Sequence, residues 1–409
     1  MRWWAAALAL ALSAPLGAEV PPAWRPVDAA TGQIVDVAGL EQLARDFPDS
    51  ASVRLRLFNA QLEAGDGEGA LANLRWLAEC GHVFGAGAQA QIPQLISVAH
   101  ADAARALLIL SPDVLAASTV HDEIPASAGL IESVFVRPDG VPGFATSVSR
   151  RSLFVRFSHG DWREIAVPRS WALSGVASPP DGESAWVASA NIDGAPEDAA
   201  RFTGLIELPG DIDDFIYRPA PAGVAVSDLA VGPDRVVYAS DPIGGGVYRL
   251  RPHAAALEAL VPPGTFRSPQ GLAVSADGAR LYVSDYRYGL AMVDLASGAV
   301  TRLASDVPAA LDGIDGLWLY KGELIAVQNG TSPMRIVALG LSDDGTRIVG
   351  RRILEQAHPD WTEPLGGSIA DGALYYVATG QWDRYDKGAL REGMAAIPTV
   401  IRRLPLAPR

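Results

Sequence analysis

PQGLAVSADGARLYVSD, residues 269–285, decides the fold. Two β-type runs, PQGLAV and RLYVSD, flank a turn centred on Asp277-Gly278. The second run is rich in Val, Leu and Tyr, residues that suit a pleated surface packed on both faces. Working outward, the same texture recurs. IESVFVRPDG starts at Ile131, LSGVASPPDG at Leu173, VSDLAVGPDR at Val226, IDGLWLYKGE at Ile314 and LGGSIADG at Leu365. Each copy carries a small or acidic residue at its third position: Ser133, Gly175, Asp228, Gly271, Gly316 and Gly367. These positions are 42, 53, 43, 45 and 51 residues apart. A second strand follows in turn, as in SAWVASA, VVYASD, ELIAVQN and ALYYVAT. Repeats of roughly 40–50 residues built of short strands and tight turns are propeller blades. A β-helix has shorter repeats, and a sandwich lacks the regularity. The sequence therefore predicts a mainly β protein, a six-bladed propeller over residues 116–409. Its last blade is one strand short, so a strand from upstream of Glu132 is expected to close the ring.

Composition agrees. The chain has 409 residues, with 41 Gly and 30 Pro to punctuate strands, 49% hydrophobic residues to build cores and only 20% charged ones. Disorder is excluded by that balance. The single Cys80 excludes a disulfide scaffold. A net charge of −14 argues against nucleic acid, whose phosphates require basic patches.

In a propeller the first strand of each blade lines the central channel, so equivalent positions converge on one mouth. The second position of each copy gives Glu132, Ser174, Ser227, Gln270, Asp315 and Gly366. Two carboxylates, an amide and two hydroxyls form an oxygen-rich ring suited to a hard cation, Ca²⁺ or Mg²⁺. The same ring also fits a hydrated polar channel without metal. Asp228, beside Ser227, is either a proton acceptor or a plain channel carboxylate.

Glu132, the PQGLAVSADGARLYVSD stretch and IDGLWL together resemble the regucalcin (senescence marker protein) and gluconolactonase family of six-bladed propellers. The resemblance covers about Leu130 to Pro408, and its short motifs are shared in part with strictosidine-synthase-like and NHL-type propellers. It implies one divalent cation, most simply Ca²⁺, held by Glu132, Gln270 and Asp315. It also implies metal-assisted hydrolysis of a lactone or ester, with Asp315 or Asp228 taking a proton from water. Ser227, where a family Asn falls, and Ser174 of the same ring are expected on the substrate side; Asn329, at the end of the strand in AVQNGTS, joins them, though a turn or inter-blade role also suits it. Two family Asn positions are Gln270 and Ser227 here, and the family's substrate-binding Arg falls at Ala225. The alternative is a non-catalytic propeller that binds a small-molecule ligand or a protein.

Two further segments precede the propeller. MRWWAAALALALSAPLGAEVPP has a basic residue at Arg2, an apolar run from Trp3 and a small-residue site at Gly17-Ala18. That run is shorter than the roughly 20 residues a membrane span needs, so residues 1–18 read as an export signal. The mature protein is expected to be periplasmic or secreted, with a linker over 19–36 and no membrane span. From 37 to 115 apolar residues recur at helical spacing, and Asp66-Gly67 separates two helices of a hairpin. The texture is that of a tetratricopeptide-like unit, which needs neighbours to bury its faces. Packing on the propeller is expected, with a protein partner as the other use.

Other chemistries find no support. The six His residues are scattered without zinc spacing, and no GxSxG elbow occurs. Gly244–Gly246 lies between strands with no helix to follow, unlike a phosphate loop. The loops at Asp285–Tyr288 and Gln381–Tyr385 follow second strands and can rim the mouth, though a turn or inter-blade role also suits them.

Overall fold

The computed structural model describes residues 22–27, 29–109, 111–137, 142–156, 160–179, 184–209 and 214–406. The expected export signal and the turns at 138–141 and 180–183 lie outside these residues.

Six antiparallel four-stranded sheets follow one another around a ring. Blade one runs from Ile131–Val136 to Arg163–Ala166, blade two from Ala172–Ala177 to Ile216–Pro219, and blade three from Leu229–Val231 to Glu258–Val261. Blade four comprises Pro269–Val274, Arg280–Asp285, Gly289–Asp294 and Val300–Arg302. Blade five runs from Gly316–Tyr320 to Arg347–Gln356, where Ala304–Ser305 adds a short parallel strand at its outer edge. Blade six takes Gly367–Ala370, Ala373–Val377 and Thr399–Pro405, and its fourth strand is Thr119–Ile124 from upstream of Glu132. That pairing joins the two ends of the propeller, closes the ring and covers the open edge of Thr399–Pro405. A buried network fixes it. Glu355 accepts hydrogen bonds from the Ala117 and Ser118 amides and from the Ser118 hydroxyl. Arg402 in turn donates to Ser118.

The core lies between blades rather than within one layer. Tyr282, Leu290 and Met292 of blade four pack on Leu317, Ala326 and Val337 of blade five. The other junctions repeat this pattern, for example Val187 and Ile206 against Phe144 and Leu153. Tyr238, Tyr282 and Tyr376 of the second strands sit between blades, the last two with their polar tips paired. Tyr282 donates to the Gly345 carbonyl at 2.8 Å, and Tyr376 to Glu355 at 2.7 Å.

The small residues at the third position answer a steric demand. First strands of neighbouring blades meet in pairs near the channel axis. The Gly175 amide donates to the Ser227 carbonyl, Gly271 to Asp315, and Gly366 to Glu132. A Cβ on Gly175 would lie 2.4 Å from the Ser227 oxygen, and one on Gly271 would lie 2.7 Å from that of Asp315. No side chain fits there.

The same contacts correct the alignment of blade six by one residue. The Asp315 amide donates to Val327, and the Leu365 amide donates to Val377. Gly316 pairs with Val327 as Gly366 does with Val377. Leu365, and not Gly366, is therefore the ring position of blade six.

The helical segment forms Val37–Asp46, Ala51–Ala64, Gly67–Glu79, Ala86–Leu95 and Ala101–Leu107. Asp36, Ser50 and Asp66 cap the first three helices by accepting from Gly39, Val53 and Gly69. Gly65, at φ +74°, ends the second, so the turn into the third needs its left-handed backbone. The segment packs on blades three to five. Trp24, Leu43, Phe47 and Leu57 join one buried cluster with Phe266 and Tyr288. Asp312 of the propeller accepts from the Ala51 and Ser52 amides at 2.9 and 2.7 Å. Arg302 pairs with Asp49 at 2.8 Å. Among the described residues no helix is long and apolar enough to cross a membrane.

Candidate functional site

The first strands of the blades begin around a recess of about 260 Å³ at one mouth of the channel. Glu132, Ser227, Gln270, Asp315 and Asn329 all line it. Five of the seven residues singled out in sequence therefore meet in one place. Ser174 does not reach it. It is fully buried, and its hydroxyl donates to the Ser227 carbonyl at 3.2 Å, one layer below the surface. Asp228 also lies deeper, in a narrow neck of about 20 Å³ with Ser133, Gly271 and Trp318. The alternation of a strand explains its place, because Asp228 follows Ser227 and points to the other side.

Sequence reading missed Glu363, which lines the recess two residues before the true ring position Leu365. Trp382 and Tyr286 come from the loops expected to rim the mouth. Both contact the polar ring. Trp382 donates its indole N–H to Glu132 Oε2 at 2.7 Å. Tyr286 donates to Asn329 Oδ1 at 2.9 Å, and Asn329 Nδ2 donates to Asp315 Oδ2 at 3.1 Å. These bonds fix the carboxyl orientations. Ile192, Pro242, Ile243 and Leu365 supply an apolar wall.

Electrostatics set the recess apart. Burial, with Asp315 and Asp228 adding repulsion, holds the Glu132 carboxyl well above its ordinary range. Burial and the charge of Asp228 push Asp315 up to about 8. Burial pushes Asp228 up to about 7. Glu363 rises to about 7 from burial and the charges of Asp315 and Asp383. No lysine, arginine or histidine is among the described lining residues. Crowded carboxyls without a cation nearby hold protons or attract a positive charge.

The donor set suits a hard divalent cation, since Glu132, Asp315 and Gln270 line one recess and offer it oxygen ligands. Their remaining lone pairs are not taken by a basic side chain. Among the described residues no group of three His, Cys, Asp or Glu side chains is arranged to hold an ion by itself. A cation there would need the Gln270 carbonyl as a third ligand; the Gln270 amide N donates to Ser268 Oγ at 3.2 Å.

No protein-family profile matches this chain. No curated protein matches it in sequence. Among solved structures, a gluconolactonase of Xanthomonas campestris is 14% identical, covering 71% of this chain and 99% of its own at a TM-score of 0.45. The aldose sugar dehydrogenase of Streptomyces coelicolor in its PQQ-bound form is 13% identical, covering 72% and 99% at 0.46. A virginiamycin B lyase of Staphylococcus aureus is 12% identical, covering 70% and 89% at 0.46. These are propellers of differing chemistry, and no site residue is carried over from them.

Proposed function

We propose that the recess is the active site of a divalent-cation-dependent hydrolase acting on a small lactone or ester. The observation that carries this reading is the convergence of Glu132, Asp315 and Gln270, with Ser227 and Asn329 beside them, in one cation-poor cavity. Glu132, Asp315 and Gln270 would hold the ion, most simply Ca²⁺. Bound there, it supplies Lewis-acid polarisation of an acyl carbonyl.

The chain's own groups do the rest. Ser227 and Asn329 orient the substrate by hydrogen bonds, and the Ile192, Ile243 and Leu365 wall covers its apolar part. Water attacks the acyl carbon, forming a new C–O bond, and its proton passes to a carboxylate of the recess, Asp315. Collapse of the tetrahedral species breaks the acyl–alkoxy bond. Glu363, pushed up to about 7, gives the leaving alkoxide its proton. Asp228 in the neck stays clear of the substrate and strengthens the negative field that draws a cation to Asp315. With residues 1–18 read as an export signal, we place this action outside the cytoplasm, in the periplasm or medium.

A panel of uncharged lactones and carboxylic esters, assayed with Ca²⁺ and again after chelation, tests the reading. Turnover lost on chelation and restored by Ca²⁺ is expected. Turnover indifferent to chelation, or none with any substrate, would overturn it.

A further inference from the structure

A second chamber of about 270 Å³ lies between the helical segment and blade five, next to the mouth, with Asn329 lining both. Its chemistry is the reverse of the recess. Arg335, on the blade-five strand Arg335–Leu341, lines it and is 2% exposed. A guanidinium carries five N–H donors. Arg335 uses Nε toward Gln328 Oε1 and Nη1 toward the Cys80 carbonyl, both at 2.8 Å. It makes no other hydrogen bond among the described residues, and no carboxylate there lies within 4.0 Å of it. Three donors are left on one edge of a buried cation.

No neighbour hydrogen-bonds that edge among the described residues. Asp312 shares the chamber wall and its charge reaches Arg335, but its two oxygens are turned to the Ala51 and Ser52 amides and make no bond to the guanidinium. Arg351 brings a second guanidinium to the same Cys80 carbonyl at 3.2 Å. His82, also in the wall, is driven down to about 4 by burial and by Arg335, so it is a neutral imidazole. Leu55, Ala310 and the Cys80 side chain provide apolar surface opposite. A buried cation with unused parallel donors, beside an apolar wall, matches an anion that is flat, two-oxygened and attached to a short hydrocarbon.

We propose that this chamber is a binding site for a short aliphatic carboxylate, held by the free edge of Arg335 with its chain against Leu55 and Ala310. A free inorganic oxyanion would use the same donors without the apolar wall, so the two sources separate by experiment. The site stands apart from the hydrolysis proposed at the mouth and does not depend on it.

The test is isothermal titration of the full chain with butyrate, with butyramide as its uncharged isostere, and with phosphate. Saturable binding of butyrate, at least tenfold tighter than butyramide or phosphate, is expected. Ala310→Leu and Ser52→Leu fill the chamber without removing Arg335, and each should weaken butyrate at least tenfold while circular dichroism stays unchanged. Arg335→Lys, which keeps the charge and loses the planar fork, should weaken it similarly. Equal binding of butyrate and butyramide overturns the proposal. So does tighter binding of phosphate, undiminished binding in both filling variants, or no binding of butyrate.

Discussion

At one end of the channel the innermost strands begin with Glu132, Gln270 and Asp315; at the other they end with Phe135, Val231, Val274, Tyr320 and Ile369. The second end opens as a largely apolar bowl of about 550 Å³. Only four or five residues of strand separate these two chemistries, a distance of roughly 15 Å. Between them the channel narrows to the neck, because Gly175, Gly271 and Gly366 let adjacent strands touch. Trp318 lines both the neck and the bowl, and its ring lies against Gly316, where a Cβ would meet it at 2.3 Å. One scaffold therefore holds a polar recess and an apolar bowl with little room for exchange between them. Of the two ends, the mouth gathers the carboxyls Glu132, Asp315 and Glu363 while the larger bowl holds Asp371 alone, so the proposed chemistry is assigned to the smaller cavity.

The sharpest way to break this contrast is to remove a carboxylate at the mouth. Asp315→Asn and Glu132→Gln should each lower hydrolysis by about 10²–10³-fold, the scale of losing a major electrostatic contribution to the transition state. Steady-state kcat/KM at saturating Ca²⁺ measures it. Loss smaller than tenfold in both would remove the mouth from the reaction.

Packing at the neck comes next. Gly271→Ala pushes a methyl group against the Asp315 carbonyl and the Leu317 amide, and should cost about 1–3 kcal/mol in urea unfolding. Gly87→Ala serves as the control. Gly87 lies in the helix Ala86–Leu95 with nothing within 4 Å of its would-be Cβ, so it should be neutral or gain up to about 1 kcal/mol.

The acidic cluster also predicts a pH dependence. A carboxyl raised in the folded state binds its proton more tightly than in the unfolded chain, so its contribution is present at low pH and lost as pH rises through the folded value. For Asp228, Glu363 and Asp315 that window runs from about 4 to about 8. Chelated protein should therefore lose part of its thermal stability across it. Asp315→Asn should flatten the loss, and Ca²⁺ should reverse it at pH 8. A Tm slope identical in wild type and Asp315→Asn would contradict this origin. The smallest effect belongs to the bowl. Val274→Thr, on its partly exposed wall, should leave kcat/KM within about twofold, given the narrow neck. A larger change would show that the two ends communicate.

Much of the fold was legible because a propeller repeats one steric problem. The small residue where strands meet and the turn that follows it recur in blade after blade, and both are visible without coordinates. Blade six slipped by one residue because Gly366 and Gly367 stand side by side, and either can be matched to Gly316. Counting back from the turn resolves it: Gly316 and Gly322 are six residues apart, as are Gly366 and Gly372. The closing strand was legible only as a deficit, since nothing in the polar texture of TVHDEI marks Thr119–Ile124 as a partner for Thr399–Pro405. Its outer-edge position leaves it with a weak hydrophobic pattern.

The site divided along the same line. Residues placed by the ring, Glu132, Ser227, Gln270 and Asp315, were found by position. Asn329 and the loop of Trp382 were legible as strand ends that can rim the mouth, whereas Glu363 comes from the connection before blade six, where no periodicity points to the channel. The Arg335 chamber was invisible for a different reason. It exists only because residues about 255 apart, Cys80 and Arg335, are brought together when the helical segment docks.

The most direct test of the account is a Ca²⁺ titration of chelator-stripped protein by calorimetry, on wild type and Asp315→Asn in parallel. One ion per chain is predicted for wild type, with affinity reduced at least tenfold in the variant. No binding by folded wild type, or equal binding by both proteins, would contradict the claim that the channel mouth is a cation-dependent active site.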